Sequence, residues 1–162
     1  MPLGSEGLVL SPNMCGSVMP INDPDMKGGF YGIDLKLGRA HFAWAIMEGV
    51  ACLLRQYLEC IGVNVESITS IGGGAKSPLW CQIKADITRK KIITLKNKEI
   101  GCLGTAILAG VGSGEYKNIE SAVAKLVKSK NELIPNDNKS NADELFERFI
   151  SFDKLLHSRK GM

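Results

Sequence analysis

Several residue types that build extracellular scaffolds and metal centres are scarce or badly spaced in this chain. Histidine occurs twice, as His41 and His157, and the five cysteines (Cys15, Cys52, Cys60, Cys81 and Cys102) are odd in number and form no C-x-x-C pair. Neither a disulfide framework nor a zinc site is expected, and no metal ligand is assigned. Cys52 and Cys102 fall in apolar runs, where a free thiol serves as a small hydrophobe. A reducing, cytoplasmic setting fits this usage. Long apolar runs are missing too: Gly7–Asn22 and Ile100–Gly114 are the longest uncharged stretches. Both fall short of the ~18 residues that argue for a transmembrane helix, so no membrane association is expected. No Lys or Arg precedes Lys27, which argues against a secretory leader.

What is present suits one globular domain. The chain has 162 residues, 44% apolar and 23% charged, the proportions of an ordinary soluble domain rather than of a disordered chain or a coiled coil. Glycine is in excess, with 18 residues where usage of ~7% would give about eleven. The net charge of +3 is uneven: residues 1–60 carry four basic against six acidic side chains, residues 61–112 seven against three, and residues 113–162 nine against eight. The basic middle, with Arg89, Lys90, Lys91, Lys96 and Lys98, contains no aromatic residue between 84 and 98. With a pI of 8.6 it reads as a solvated face, and no nucleic-acid partner is expected.

Residues 7–10 read as a short strand, followed by a long loop over 11–29 rich in Pro, Gly and Asn. Phe42, Ala45, Ile46, Gly49, Val50, Leu53, Leu54, Tyr57, Leu58 and Ile61 recur at helical spacing and predict an amphipathic helix over 39–61 with that stripe buried. A strand over 65–71 runs into Gly72, Gly73 and Gly74. Ser77 and Pro78 then start a helix whose buried face carries Leu79, Ile83 and Ile87. A strand over 91–95, helices over 101–111 and 119–127, and a last helix through Leu156 with Asn141 and Glu144 as its capping box complete the pattern. Alternating strands and helices imply an α/β layered domain.

The glycines between strand and helix permit positive φ and close approach of another group, while the following helix offers free N–H groups at its start. A nucleotide suits such a turn; a tight turn without ligand is the alternative. The phosphate-loop pattern G-x-x-x-x-G-K-[ST] fails at Ser70 and Ala75, and G-x-G-x-x-G fails at Ser77.

Residues 71–87, IGGGAKSPLWCQIKADI, resemble the adenosine-binding segment of the FGGY carbohydrate kinases, most closely the xylulose kinases among them. The run Gly28-Gly-Phe-Tyr-Gly-Ile33, His41-Phe and Ala45-Ile-Met-Glu-Gly49 is similar to the second signature of that family. Gly101-Cys-Leu-Gly-Thr-Ala106 is similar to the small-residue helix after the adenosine loop, and residues 2–8 to the lead-in. The resemblance spans roughly residues 2–156.

It implies an actin-like ATPase (ribonuclease H-like) lobe of α/β class, a mixed sheet flanked by helices and incomplete in itself. Residues 1–162 would be the C-terminal nucleotide-binding lobe of a carbohydrate kinase, with the N-terminal sugar-binding lobe absent. The implied reaction is transfer of the ATP γ-phosphate to a sugar or polyol, xylulose favoured, with Mg2+ in the complete enzyme. The chain alone is then expected to be inactive. Implied partners are the nucleotide, the sugar and the N-terminal lobe, with homodimerisation left open.

Gly72, Gly73, Gly74, Ala75 and Ser77 are the implied cofactor-binding residues, Ser77 also capping its helix, and Trp80 either covers the adenine or fills core. Gly101 and Gly104 would let two elements approach closely. No catalytic residue is assigned: Asp23, Asp25 and Asp34 read as turn formers, Asp86, Glu48 and His41 as helix-surface residues. Where many members carry Gly-Glu-Arg-Thr-Pro, this chain has Gly16-Ser-Val-Met-Pro20, which leaves gluconate, glycerol and other polyols open. A non-catalytic interaction or regulatory module that keeps the lobe fold is the alternative function.

Overall fold

Strand β1 (Val9–Ser11) pairs antiparallel with β2 (Gly29–Tyr31), Leu10 opposite Phe30. Helix α1 (Arg39–Ile61) lies across β1. Its C-terminus is closed by Gly62 at φ 68°, the left-handed cap that glycine adopts at little cost. The computed structural model describes residues 2–97 and 99–158; Lys98, part of the basic segment, lies outside the described residues.

A parallel unit follows, in which β3 (Ser67–Ser70), α2 (Pro78–Thr88) and β4 (Lys91–Leu95) place Ile68 opposite Ile92 and Ser70 opposite Thr94. Helices α3 (Ile100–Gly112) and α4 (Ile119–Leu126) lead to β5 (Ser129–Leu133), antiparallel to β4, and α5 (Lys139–His157) closes the described chain. The result is a three-stranded mixed sheet in the order β3-β4-β5 and a separate two-stranded ribbon, as the α/β expectation required.

The main core joins the two parts. Val9, Ala51, Cys52, Ile83, Ile87, Leu145, Phe146, Phe149 and Phe152 form one buried cluster between α1, α2 and α5. Cys81, Ala85 and Ile92 fix α2 to the sheet in a second cluster. Full burial of side chains such as Phe149 and Ile87 contributes about 2 kcal/mol each before entropy is counted.

The buried face of α1 differs from the expected stripe. Ala45, Glu48, Gly49, Ala51, Cys52 and Gln56 are buried, whereas Ile46 is 45% and Ile61 58% exposed. The reason is steric: α1 meets β1 through small residues, and a Cβ on Gly49 would sit 2.5 Å from the Leu10 carbonyl oxygen. Larger apolar side chains are turned to the flanks.

Glu48 is therefore not a surface residue. At 1% exposure its carboxyl group accepts from the Gly4 N–H (2.8 Å), the Ser5 hydroxyl (2.5 Å) and Trp44 Nε1 (2.9 Å). It anchors residues 4–7, which all have positive φ, a conformation that Ser5 and Glu6 adopt only at a cost.

Asp86 is likewise buried, accepting from the Gln82 amide, the Asn136 N–H and side chain, and Asn138. Asp23 does more than form a turn: it is buried beside His157, 3.4 Å away. Asn138 precedes the first residue of α5, so Asn141 lies within the first turn rather than at the cap and forms no capping box with Glu144. Cys102 and Leu79 are exposed rather than core. Strand β5 has no apolar alternation and was not expected; it forms where β4 offers a free edge.

Candidate functional site

The carboxyl ends of the parallel strands β3 and β4 open into a cavity of about 330 Å³, the position at which open α/β sheets bind ligands. From β3 the chain enters Gly72 at φ 75°, ψ −158°, a region costly for any side chain but open to glycine. A single 3-10 turn over Gly73–Lys76 follows, with the Ala75 N–H donating to the Gly72 carbonyl at 3.3 Å. The Ser77 hydroxyl then accepts the Trp80 N–H at 3.2 Å, and Pro78 occupies the first position of α2. This start is the one expected from Ser-Pro.

The structure separates the five residues expected to face a ligand. Gly72 and Ala75 form part of the cavity wall. Gly74 faces α2, where a Cβ would lie 3.2 Å from the Trp80 ring and 3.2 Å from Lys84 Nζ. Ser77 is engaged as the helix cap. Gly73 sits between them in the turn, and a Cβ added there would meet nothing within 4 Å among the described residues.

Trp80 fills the seam between α1 and α2. Its Nε1 donates to the Met47 carbonyl at 3.2 Å, and Lys84 Nζ lies 4.6 Å above its ring. Neither Gly101 nor Gly104 has a described residue close enough to touch an added Cβ, so their smallness serves no packing among the described residues.

Sequence reasoning missed the opposite wall. Thr94, Leu95, Lys96, Asn97 and Ile100 line it, and Lys130 reaches in from β5. Thr94 is buried, 4% exposed, and comes to the site through its register with Ser70; Lys130 arrives on the unforeseen strand. Lys76, Lys96 and Lys130 make the rim cationic, and no Asp or Glu contributes to the cavity wall among the described residues. Ile100, the first residue of α3, also belongs to the wall, so the positive end of that helix faces the same space. Walls that mix apolar side chains (Ile71, Leu95, Ile100) with hydroxyl and amide groups, under a cationic rim, can hold a flat organic group with polar edges and a negatively charged tail.

Other ionisable groups lie away from the cavity. His41 is at the start of α1, accepting the Gly38 N–H at Nδ1 (3.0 Å) with Nε2 3.7 Å from Glu6. Burial raises the Glu48 carboxyl above the usual glutamate range, against the opposing hydrogen bonds. Burial also pushes the Cys52 thiol well up, which leaves it protonated and unreactive. The described residues hold no cluster of His, Cys, Asp and Glu able to bind a metal ion and no helix long and apolar enough to cross a membrane.

Comparison with solved structures identifies the class. The chain superposes on the crystal structure of a ligand-bound xylulose kinase from Lactobacillus acidophilus with a TM-score of 0.86 at 24% identity, covering 99% of this chain and 33% of that one. It superposes on Plasmodium falciparum glycerol kinase with ADP at 0.81 and 22% identity, covering 94% and 31%. The fold is thus the actin-like one of the sugar kinases.

Residues 3–113 match the C-terminal domain model of the FGGY family of carbohydrate kinases, and a xylulose kinase of Staphylococcus epidermidis is 37% identical over 97% of this chain and 32% of its own length. The chain belongs to the FGGY family of carbohydrate kinases. It spans about a third of the length of the relatives it matches.

Proposed function

We propose that this chain supplies the adenosine-binding lobe of an ATP-dependent kinase for a sugar or polyol, with xylulose the favoured substrate. The observation that carries the reading is the cavity at the ends of β3 and β4, lined by both apolar and polar side chains and ringed by Lys76, Lys96 and Lys130. Similarity to xylulose kinases supports the choice of sugar.

In this reading the main chain at Gly72 and Ala75 lies against the nucleoside, where the absence or smallness of a Cβ permits contact. Gly73 continues the turn; Gly74 and Ser77 act behind it, seating Trp80 and capping α2, so that the loop keeps its shape. The lysines compensate phosphate charge. ATP supplies the phosphoryl group, and Mg2+ would neutralise it in the complete enzyme. The base that takes the sugar hydroxyl proton belongs to the N-terminal sugar-binding lobe, and no residue of this chain is given that role. Residues 1–162 form the C-terminal lobe in this scheme.

Calorimetric titration of the chain with ADP should give weak saturable binding, and the chain alone should phosphorylate no sugar. Absence of ADP binding, or turnover of xylulose by the chain alone, would overturn the reading. Binding of ADP without turnover when the chain is joined to an intact sugar-binding lobe would favour the non-catalytic module.

A further inference from the structure

At the inner end of the cavity the fold leaves a hydroxyl unused. Thr94 is 4% exposed, lies in the cavity wall, and its Oγ1 has no hydrogen-bond partner among the described residues. Its register neighbour Ser70 differs, because the Ser70 hydroxyl accepts from Lys84 Nζ at 3.4 Å. A buried hydroxyl without a partner lowers stability relative to an apolar side chain of the same shape. The folded chain gains nothing from Thr94 that Val would not provide, whereas a ligand reaching the cavity floor would complete its hydrogen bond.

The layout of the cavity indicates which part of a ligand reaches that floor. Cationic Lys76, Lys96 and Lys130 stand at the rim, and Ile71 and Ile100 contribute apolar wall. A nucleoside phosphate entering with its charged end toward the lysines turns its base inward. We propose that Thr94 is a base-contact residue, its Oγ1 hydrogen-bonding an edge of the purine. A hydroxyl both donates and accepts, so it can meet an exocyclic amino group or a ring nitrogen. The proposal rests on the nucleotide reading above and adds a residue to it.

The test compares the wild-type chain with Thr94→Val and Thr94→Ser in calorimetric titrations with ADP and with adenosine, alongside thermal melts without ligand. Thr94→Val should bind both ligands roughly five- to tenfold more weakly, the size of one net hydrogen bond. Its melting temperature without ligand should equal or exceed that of the wild type. Thr94→Ser should keep most of the affinity. Equal ADP affinity in wild type and Thr94→Val overturns the role of Thr94 and leaves the nucleotide reading standing. A lowered melting temperature of Thr94→Val, or a loss confined to ADP and absent for adenosine, overturns it as well. Failure of the wild type to bind either ligand overturns the nucleotide reading itself.

Discussion

Substituting Gly49 by Ala tests the contact that sets α1 on the ribbon. The new Cβ would stand 2.5 Å from the Leu10 oxygen and 3.1 Å from Leu10 Cβ, where ordinary contact begins at 3.4 Å. The shortfall at the oxygen is 0.9 Å, the difference between 3.4 and 2.5 Å, and both atoms belong to a buried strand that cannot swing aside. Relief requires α1 to back away, which loosens Ala51 and Cys52 in the main core. Overpacking of this kind costs about 1–3 kcal/mol. Ala is the better helix former by about 1 kcal/mol, which offsets part of it, so a net loss of up to about 2 kcal/mol is expected. Gly104→Ala is the matched comparison, since its Cβ meets no described residue, and the same propensity gain should appear there uncancelled. Urea denaturation followed by far-UV circular dichroism measures both. Gly49→Ala stabilised as much as Gly104→Ala, or both variants destabilised alike, would refute the steric reasoning.

These glycines also show where sequence was informative. Local signals were sufficient for α1, α2 and β4, because caps and periodicity act over a few residues: Ser77 and Pro78 start α2 where expected, and Gly62 ends α1. Choosing the buried side of α1 was harder. Hydrophobicity favours Ile46 and Ile61, but the helix buries the side on which Ala45, Gly49 and Cys52 allow the closest approach. Glu48 could not be placed from its own neighbourhood, since two of its three donors, Gly4 and Ser5, come from residues more than forty positions earlier. The glycine loop was legible as a turn between strand and helix. Its division of labour was not: the same three-glycine run turns Gly72 toward the cavity and Gly74 toward Trp80, a difference set by backbone direction. Thr94 and Lys130 depend on sheet register, and β5 has an exposed, polar sequence that only the edge of β4 explains.

Two further substitutions separate local structure from long-range electrostatics. Ser77→Ala removes the acceptor of the Trp80 N–H and should lower stability by about 1 kcal/mol in a denaturant titration; an unchanged midpoint would show that water replaces the cap. Glu48→Gln addresses the buried carboxyl, whose pKa burial raises above the ordinary glutamate value of 4.5. Because the folded state holds this proton more tightly than the unfolded chain, the unfolded chain releases it first as pH rises. The favourable contribution is therefore fully present below the unfolded value and falls away as pH climbs through the folded one. Wild-type stability should carry that downward component between about pH 4 and the raised folded value, and Glu48→Gln, which cannot titrate, should lack it. Denaturant titrations of both proteins across this range measure the difference. Parallel stability curves would mean that the bonds from Gly4, Ser5 and Trp44 hold the carboxylate as well as water does, and that desolvation does not govern this site.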